Sequence, residues 1–328
     1  MSKKIMLSGV QPSGDLHIGN YLGAIRNWAR YQEEYASFFF IAYYHAITEI
    51  KDPQLMREAT CHVAADVLAC GVDPEKCTFF VQSHARTSLE LCWVLSCVTS
   101  MGDLERMTQY KDKARQLNIP VNAGLFLYPV LQAADILAFK THVVPVGDDQ
   151  CQHLELAREI VRRFNTAYGE TFPEPQQLLS EVPRLLGLDG DSKMSKSKGN
   201  TISLIDDPES IKAKLKPAKT DVHRQRRSDP GDPSQCNVYT IHQGFSDPAT
   251  CAQVDRDCRA AAIGCIDCKM MLADKLAATL APIRERSREL RRHPDQLREI
   301  LRQGSARATL TAETTMNEVR DKLGLFHP

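Results

Sequence analysis

PSGDLHIGN, at residues 12–20, follows an apolar run at residues 5–7 and leads into a stretch with helical periodicity. This order predicts a strand, a glycine-containing turn, and a helix whose first backbone N–H groups point at an anion. His17 and Asn20 lie one helical turn apart and can donate hydrogen bonds to phosphate oxygens. Gly19 has no side chain to keep a nucleotide away from the backbone. We therefore predict a phosphate site at this turn.

A second segment, KMSKS at residues 193–197, lies between Gly187, Gly190 and Gly199. Its lysines, Lys193 and Lys196, would sit on a loop able to close over a leaving diphosphate. An ordinary solvated loop is the alternative interpretation. Together the two segments predict a site for the triphosphate of ATP.

Short apolar segments alternate with helical patterns through the first two-thirds of the chain. The predicted buried parallel strands are residues 5–7, 38–43, 78–82 and 143–146. This alternation is typical of an α/β fold with a Rossmann-like, doubly wound parallel sheet and a ligand at the carboxyl ends of its strands. We predict a catalytic domain over residues 1–205, including the lysine loop, and a mainly α-helical domain over residues 206–328.

The composition is that of a soluble globular protein, because 43% of the 328 residues are hydrophobic and 25% are charged. No apolar run approaches the roughly 20 residues that span a bilayer, and the N-terminus lacks a secretory pattern. We therefore expect a cytoplasmic protein with no membrane partner. Basic and acidic residues balance at 41 each, so binding to nucleic acid would depend on local basic patches. Two such patches lie at residues 223–227 and 284–293, although either can be a solvated helix face.

Eleven cysteines in a chain without a secretory pattern argue against a disulfide framework. Cys236, Cys258, Cys265 and Cys268 have the spacing C-x21-C-x6-C-x2-C, in which the last pair can grip one metal centre and the distant pair can close it. Spacing alone does not separate a cluster from a zinc ion, and plain core cysteines are a further alternative.

The two opening segments resemble the HIGH and KMSKS signatures of class I aminoacyl-tRNA synthetases. They occur in the right order, about 170 residues apart, which makes chance agreement improbable. Four neighbouring words resemble the tryptophanyl-tRNA synthetase family. They are SGVQPSG at 8–14, HAIT at 45–48, the segment 128–135 that begins with YP and ends with AAD, and VPVGDDQ at 144–150. This resemblance covers nearly the whole chain.

The resemblance implies a two-step reaction. The carboxylate of L-tryptophan attacks the α-phosphate of ATP and releases diphosphate, and the 3′-terminal hydroxyl of tRNA(Trp) then attacks the mixed anhydride. Positioning and charge stabilisation can supply most of the acceleration, without a covalent nucleophile. The resemblance also implies a homodimer, with Mg²⁺ carried mainly by ATP.

Site residues follow by matching positions to the family. The implied catalytic residues are His17, Asn20, Lys193 and Lys196, with Lys111 a weaker candidate. The implied ATP-binding residues are Gln11, Ser13, Gly19, Asn20, Gly147, Asp149, Gln150, Lys193, Met194, Ser195 and Lys196, with Met194 near the adenine. The implied tryptophan-binding residues are Leu7, His45, Tyr128, Gln132, Asp135, Val144, Val146 and Gln150. Asp135 would accept the indole N–H, while His45 would hold the amino or carboxylate end or else be a structural histidine. Tyr43 and Gln132 depart from the family pattern.

The four cysteines resemble those of the tryptophanyl-tRNA synthetases that carry a 4Fe–4S cluster beside the anticodon-binding region. Such a cluster would be structural, because adenylation moves no electrons, and zinc or an empty core site are the alternatives. Arg224, Arg226 and Arg227 would then be tRNA contacts. Competing functional hypotheses are a tyrosyl-tRNA synthetase, a small nucleotidylyltransferase, and a non-catalytic paralogue that senses tRNA or tryptophan.

Overall fold

A five-stranded parallel sheet forms the centre of the molecule in a computed structural model that describes residues 3–48, 50–107, 122–147, 150–179, 185–195 and 198–326. The strands are β1 (Ile5–Val10), β2 (Ala36–Ile41), β3 (Thr78–Val81), β4 (Val143–Val146) and β5 (Gln176–Leu179). Their order across the sheet is β3-β2-β1-β4-β5, with every neighbouring pair parallel. This doubly wound order confirms the predicted fold class.

Four of these strands were predicted from apolar runs, and β5 was not. Its sequence, QQLL, is mostly exposed and pairs only with β4, at the edge of the sheet. The physical reason for the omission is that an exposed edge strand lacks the continuous apolar run of a buried parallel strand. β1 also extends to Val10, so the strand ends directly before the phosphate turn.

Helices cover both faces of the sheet and make up most of the C-terminal third. A short helix, α1 (Ile18–Asn20), continues through a π-helical stretch (Tyr21–Ile25) into α2 (Arg26–Glu34). The helices that follow within the sheet region are α3 (Tyr43–Ala46), α4 (Pro53–Ala69), α5 (Thr87–Ser96), α6 (Met101–Arg106), α7 (Ala123–Ala138) and α8 (Cys151–Tyr168). The C-terminal helices are α9 (Pro208–Leu215), α10 (Asn237–Phe245), α11 (Pro248–Arg259), α12 (Cys265–Arg292) and α13 (Pro294–Leu323). Their content confirms the predicted helical C-terminal region.

Each face of the sheet has its own apolar core. Trp28 stacks on Phe39 in one core, with ring centroids 4.5 Å apart and planes at 2°. Phe80 packs against Phe40 and Phe139 in the other. Burial of these large rings, with the aliphatic side chains around them, holds the helices on the sheet.

The two last helices pack back onto the sheet region. α12 lies along α4, where the buried Asp66 accepts hydrogen bonds from Ser287 and Arg291. α13 crosses β3 so closely that a Cβ at Gly304 would lie 1.8 Å from the carbonyl oxygen of Phe79. The chain from residue 206 onward is therefore packed against α4 and β3, and the domain boundary at residue 205 stays a prediction. Among the described residues, no helix is both long and apolar enough to cross a membrane.

Candidate active site

The phosphate turn begins where β1 ends, and His17 organises it. His17 is 9% exposed, and its Nδ1 accepts hydrogen bonds from the backbone N–H groups of Gly19 (3.2 Å) and Asn20 (3.3 Å). The His17 N–H in turn donates to Asn20 Oδ1 at 3.1 Å, which completes a capping box. We expected the first N–H groups of this helix to point at an anion. Those of Gly19 and Asn20 are instead capped by the imidazole.

This capping determines the tautomer of His17. A ring nitrogen that accepts hydrogen bonds carries no proton, so the neutral imidazole has its N–H at Nε2. The same logic applies to Asn20, whose Oδ1 accepts and whose Nδ2 therefore supplies the donors. Both side chains carry N–H groups, at His17 Nε2 and Asn20 Nδ2, and their binding to a phosphate oxygen stays a prediction.

Met194 of the lysine segment, and residues 202–204 that follow the segment, lie against the phosphate turn. Residues 16–18 pair antiparallel with residues 202–204, through Ile18 N–H to the Ile202 carbonyl (3.0 Å) and Leu204 N–H to the Leu16 carbonyl (2.9 Å). A Cβ at Gly19 would lie 3.0 Å from the His17 ring and 3.3 Å from Met194 Sδ. The space above Gly19, which we expected to admit the nucleotide, is filled by these side chains. The absence of a Cβ at Gly19 lets the two motifs touch.

Hydrogen bonds from Asn200 fix the backbone conformation of the lysine segment. Asn200 was not predicted as a site residue. It is 5% exposed, accepts from the Ser195 N–H at 2.8 Å, and donates to Asp189 (2.8 Å), Ser192 (3.1 Å) and the Lys193 carbonyl (3.3 Å). Hydrogen bonds from Asn200 and Ser192 hold the pKa of Asp189 well below its usual value. Lys193 is exposed at the edge of this folded loop, so its ammonium can reach a ligand.

A second polar group lies at the carboxyl ends of β2 and β3. Asp135, on α7, is 4% exposed and accepts hydrogen bonds at Oδ2 from Gln82 Nε2 (2.6 Å) and from His45 Nε2 (3.0 Å). His45 thus contacts the predicted indole acceptor, although we expected it at the amino or carboxylate end of the substrate. Gln82 was not identified from the sequence. Its position at the end of a predicted strand was the signal that could have found it.

Apolar side chains surround this polar group. Leu7, Val144 and Val146 are all buried in one cluster with Ala133 and Ala134, which precede Asp135 on α7. Tyr128 is also buried, and its hydroxyl lies 2.9 Å from His153 Nε2. The rings of Tyr128 and His45 meet edge to face at 6.3 Å. Of the predicted tryptophan residues, the structure thus brings His45, Tyr128 and Asp135 into contact and buries Leu7, Val144 and Val146 in the adjoining core, while Gln132 is half-buried.

The remaining nucleotide residues lie on the exposed ends of the same strands. Gln11 accepts a backbone hydrogen bond from Ser13 just beyond β1, and Gln150 donates one to the exposed Gly147 just beyond β4. Three residues predicted for this site, Lys111, Asp149 and Lys196, lie outside the described residues.

The four cysteines of the predicted metal site gather in the C-terminal region. Partial burial, together with the neighbouring thiols of Cys236, Cys258 and Cys265, raises the pKa of Cys268 to about 12. Arg224 Nη1 lies 3.7 Å from Cys258 Sγ. However, among the residues the structure describes, no three His, Cys, Asp or Glu side chains are placed to hold a metal ion. The thiols are therefore neighbours without forming a closed ligand set.

The predicted tRNA-binding arginines have different surroundings. The guanidinium of Arg224 donates to the carbonyls of Arg227 and Ile263, both at 2.8 Å, so it braces the loop beside the cysteines. Arg226 and Arg227 are exposed, and Arg227 also pairs with Asp267 at 3.1 Å. Of the three arginines, only Arg226 and Arg227 are exposed to solvent.

Comparison with known proteins agrees with the geometry. The family of tRNA synthetases class I (W and Y) matches residues 2–281. Tryptophan--tRNA ligase from Deinococcus radiodurans is 49% identical over 326 residues, covering 98% of each chain. The protein of the same name from Thermotoga maritima is 43% identical over 326 residues, covering 98% of this chain and 99% of its own.

A solved structure supports the same family assignment. The crystal structure of tryptophanyl-tRNA synthetase from Campylobacter jejuni complexed with ADP and tryptophan has a TM-score of 0.87 and 39% identity, covering 98% of this chain and 100% of that one. These matches confirm the resemblance predicted from the two motifs. The chain belongs to the class I tRNA synthetases, in the family of the tryptophan--tRNA ligases.

Proposed function

We propose that this chain activates L-tryptophan with ATP, releasing diphosphate, and then transfers the tryptophan to the 3′ end of tRNA(Trp). The observation that carries the proposal is the close approach of the two motifs, because residues 16–18 pair with residues 202–204 and Met194 Sδ lies 3.3 Å from where a Cβ at Gly19 would be. Two donor-rich segments joined beside a buried apolar neighbourhood suit a triphosphate next to an aromatic amino acid.

Charge stabilisation is the proposed role of the phosphate side. As the carboxylate oxygen of tryptophan bonds to the α-phosphorus, the bond to the diphosphate breaks and negative charge builds on the leaving oxygens. His17 Nε2–H and Asn20 Nδ2 would donate to the phosphates, while Lys193 and Lys196 would neutralise the diphosphate. Lys111 is a weaker candidate for the same role. Mg²⁺ would enter on ATP and supply further charge neutralisation. Gln11, Ser13, Gly147, Asp149, Gln150 and Ser195 would line the remaining nucleotide surface.

Recognition of tryptophan is assigned to the buried neighbourhood around Asp135. Its carboxylate would accept the indole N–H, which would otherwise be buried without a partner at a cost of about 1–3 kcal/mol. The slot for the ring would be shaped by Leu7, Tyr128, Gln132, Val144 and Val146, and Gln150 would hold the amino or carboxylate end. His45 supports this assignment through its hydrogen bond to Asp135.

Diphosphate exchange into ATP, measured with each of the twenty amino acids, tests the proposal. We expect exchange with tryptophan alone. Exchange with tyrosine would indicate a tyrosyl-tRNA synthetase, exchange without any amino acid would indicate a nucleotidylyltransferase, and no exchange would indicate a non-catalytic paralogue.

The region beyond residue 205 is proposed to bind the anticodon side of the tRNA. The exposed Arg226 and Arg227 would meet its phosphates, with Arg224 holding their loop in place. Cys236, Cys258, Cys265 and Cys268 would hold a structural 4Fe–4S cluster. The gathering of the four thiols and the cation of Arg224 beside them support this assignment, because a thiolate-bound cluster carries negative charge. A zinc ion would need the same thiols drawn closer to one point.

Metal analysis of anaerobically purified protein separates these possibilities. We expect a visible absorption band and about four iron atoms per chain, both lost in Cys265→Ser. Cys251→Ser is the matched control, because Cys251 lies outside the spacing pattern and should leave the iron content unchanged. Zinc in place of iron, or a colourless, metal-free and fully active enzyme, would contradict the cluster.

A homodimer is proposed through the α5 surface. Leu89 and Trp93 lie four residues apart on α5 and are 43% and 73% exposed. Leu127, on the neighbouring α7, is 37% exposed. Large exposed apolar side chains grouped on one surface are typical of an interface.

We expect Trp93→Glu to convert the protein into a monomer, measured by light scattering after size exclusion. The reason is that a buried unpaired carboxylate would oppose association. Leu310→Glu is the matched control, since Leu310 is 74% exposed on α13. A monomeric parent protein, or a dimer that survives the Trp93 change, would contradict this interface.

A further inference from the structure

Gln82 is a buried amide that both connects to the backbone of α3 and contacts Asp135. It follows β3 directly and is 1% exposed. Its Oε1 accepts from the Tyr44 N–H at 2.8 Å, and its Nε2 donates to Asp135 Oδ2 at 2.6 Å. A polar side chain this deeply buried is retained where its hydrogen bonds are needed.

The contact with Tyr44 removes the usual ambiguity of an amide side chain. A backbone N–H only donates, so the amide oxygen of Gln82 must face Tyr44. The amide nitrogen must then face Asp135, where the carboxylate accepts its hydrogen. Gln82 therefore acts on Asp135 as a donor from a position set by the main chain.

The two donors to Asp135 reach the same oxygen. His45 Nε2 lies 3.0 Å from Oδ2, and Gln82 Nε2 lies 2.6 Å from that same atom. No hydrogen bond from the described part of the chain reaches Oδ1 of Asp135. The pair of donors therefore sets the rotation of the carboxylate and keeps one oxygen available as an acceptor.

We infer that Gln82 is a positioning residue for indole recognition, which turns Oδ1 of Asp135 toward the ring N–H of tryptophan. This inference rests on the proposed role of Asp135 as the indole acceptor. Both polar atoms of Gln82 bond to the protein, at Tyr44 and Asp135, so Gln82 would act on the substrate through the carboxylate. Replacing Gln82 should therefore change the selectivity between substrates that differ at the ring nitrogen. It should not change the chemistry of the adenylation step.

A matched pair of substrates isolates that effect. L-Tryptophan is compared with its benzothienyl analogue, in which sulfur replaces the indole N–H in a ring of similar shape. The measured quantity is the ratio of kcat/KM for the two substrates in ATP–diphosphate exchange. We expect the parent enzyme to favour tryptophan by about 100-fold or more, since a buried acceptor rejects a substrate without the donor.

We expect Gln82→Met to lower this ratio at least about tenfold, chiefly by raising KM for tryptophan. Gln82→Glu is the second variant, because it keeps an acceptor for Tyr44 and loses the donor to Asp135, and it should lower the ratio similarly. Ser83→Ala is the matched control and should leave the ratio unchanged. A merely structural defect would lower activity on both substrates alike and preserve the ratio.

Asp135→Asn separates failure of this inference from failure of the proposed function. If Asp135→Asn lowers the ratio while both Gln82 variants keep it within about twofold of the parent value, Gln82 does not position the carboxylate. If Asp135→Asn itself leaves the ratio unchanged, the assignment of Asp135 is wrong and the inference is lost with it.

Discussion

Lys193→Ala is expected to lower the rate of tryptophan-dependent ATP–diphosphate exchange by roughly 100- to 1,000-fold. The ammonium of Lys193 is exposed on a loop whose shape is held by Asn200, and that loop touches the phosphate turn through Met194. Charge on the diphosphate is greatest in the transition state, so the loss should fall mainly on kcat, with a smaller effect on KM for ATP.

Lys198→Ala provides the comparison, because Lys198 is an exposed lysine of the same segment and has no proposed part in the chemistry. It should retain activity within about threefold of the parent enzyme, since removing a solvated charge without a part in the chemistry changes little. The double variant Lys193→Ala with Lys196→Ala should be at least as impaired as Lys193→Ala alone. Normal adenylate formation in the double variant would contradict the proposed phosphate site.

Gly304→Ala is expected to lower the free energy of unfolding by about 3 kcal/mol or more. A Cβ at Gly304 would lie 1.8 Å from the Phe79 carbonyl oxygen and 2.8 Å from its carbon. Both are backbone atoms of a strand of the sheet, so neither can rotate away as a side chain would. α13 would have to move away from β3. That movement would weaken the buried contacts of Ala308 and Met316 in the core that contains Phe80.

Gly23→Ala tests whether the effect is specific to that crossing. Gly23 is also helical, but a Cβ there would meet no atom within 4 Å. It should be neutral or stabilising by up to about 1 kcal/mol, because alanine favours a helix more than glycine does. Thermal and denaturant unfolding of both variants measures the difference. Equal stability of the two would mean that α13 does not approach β3 as closely as described.

The buried strands were predictable because burial on both faces of a parallel sheet demands continuous apolar runs. β2, β3 and β4 carry such runs, and the structure places them within a few residues of their predicted positions. β5 carries no such run, because it lies at the edge and is mostly exposed. The crossing of α13 over β3 could not be predicted from the local sequence either. A glycine within a helix does not indicate which backbone segment will pack against it.

The nucleotide chemistry was also predictable from the chain, because phosphate binding needs donors and cations at short, characteristic spacings. His17, Asn20 and Lys193 belong to two local motifs whose composition indicates an anion. The role of Nδ1 of His17 as a helix cap was not predictable. It depends on backbone geometry at the end of β1, which decides whether that nitrogen faces the helix or the ligand.

Residue types and their local spacing were thus enough to specify the sheet, the class of reaction and most of the residues proposed to perform it. Only the tertiary structure determines which residues are hydrogen-bond partners. Asp135 receives hydrogen bonds from residues 53 and 90 positions away, and residues 16–18 pair with residues 202–204. Such partners are chosen by the packing of strands and helices, because a hydrogen bond acts over about 3 Å and leaves no periodic trace along the chain.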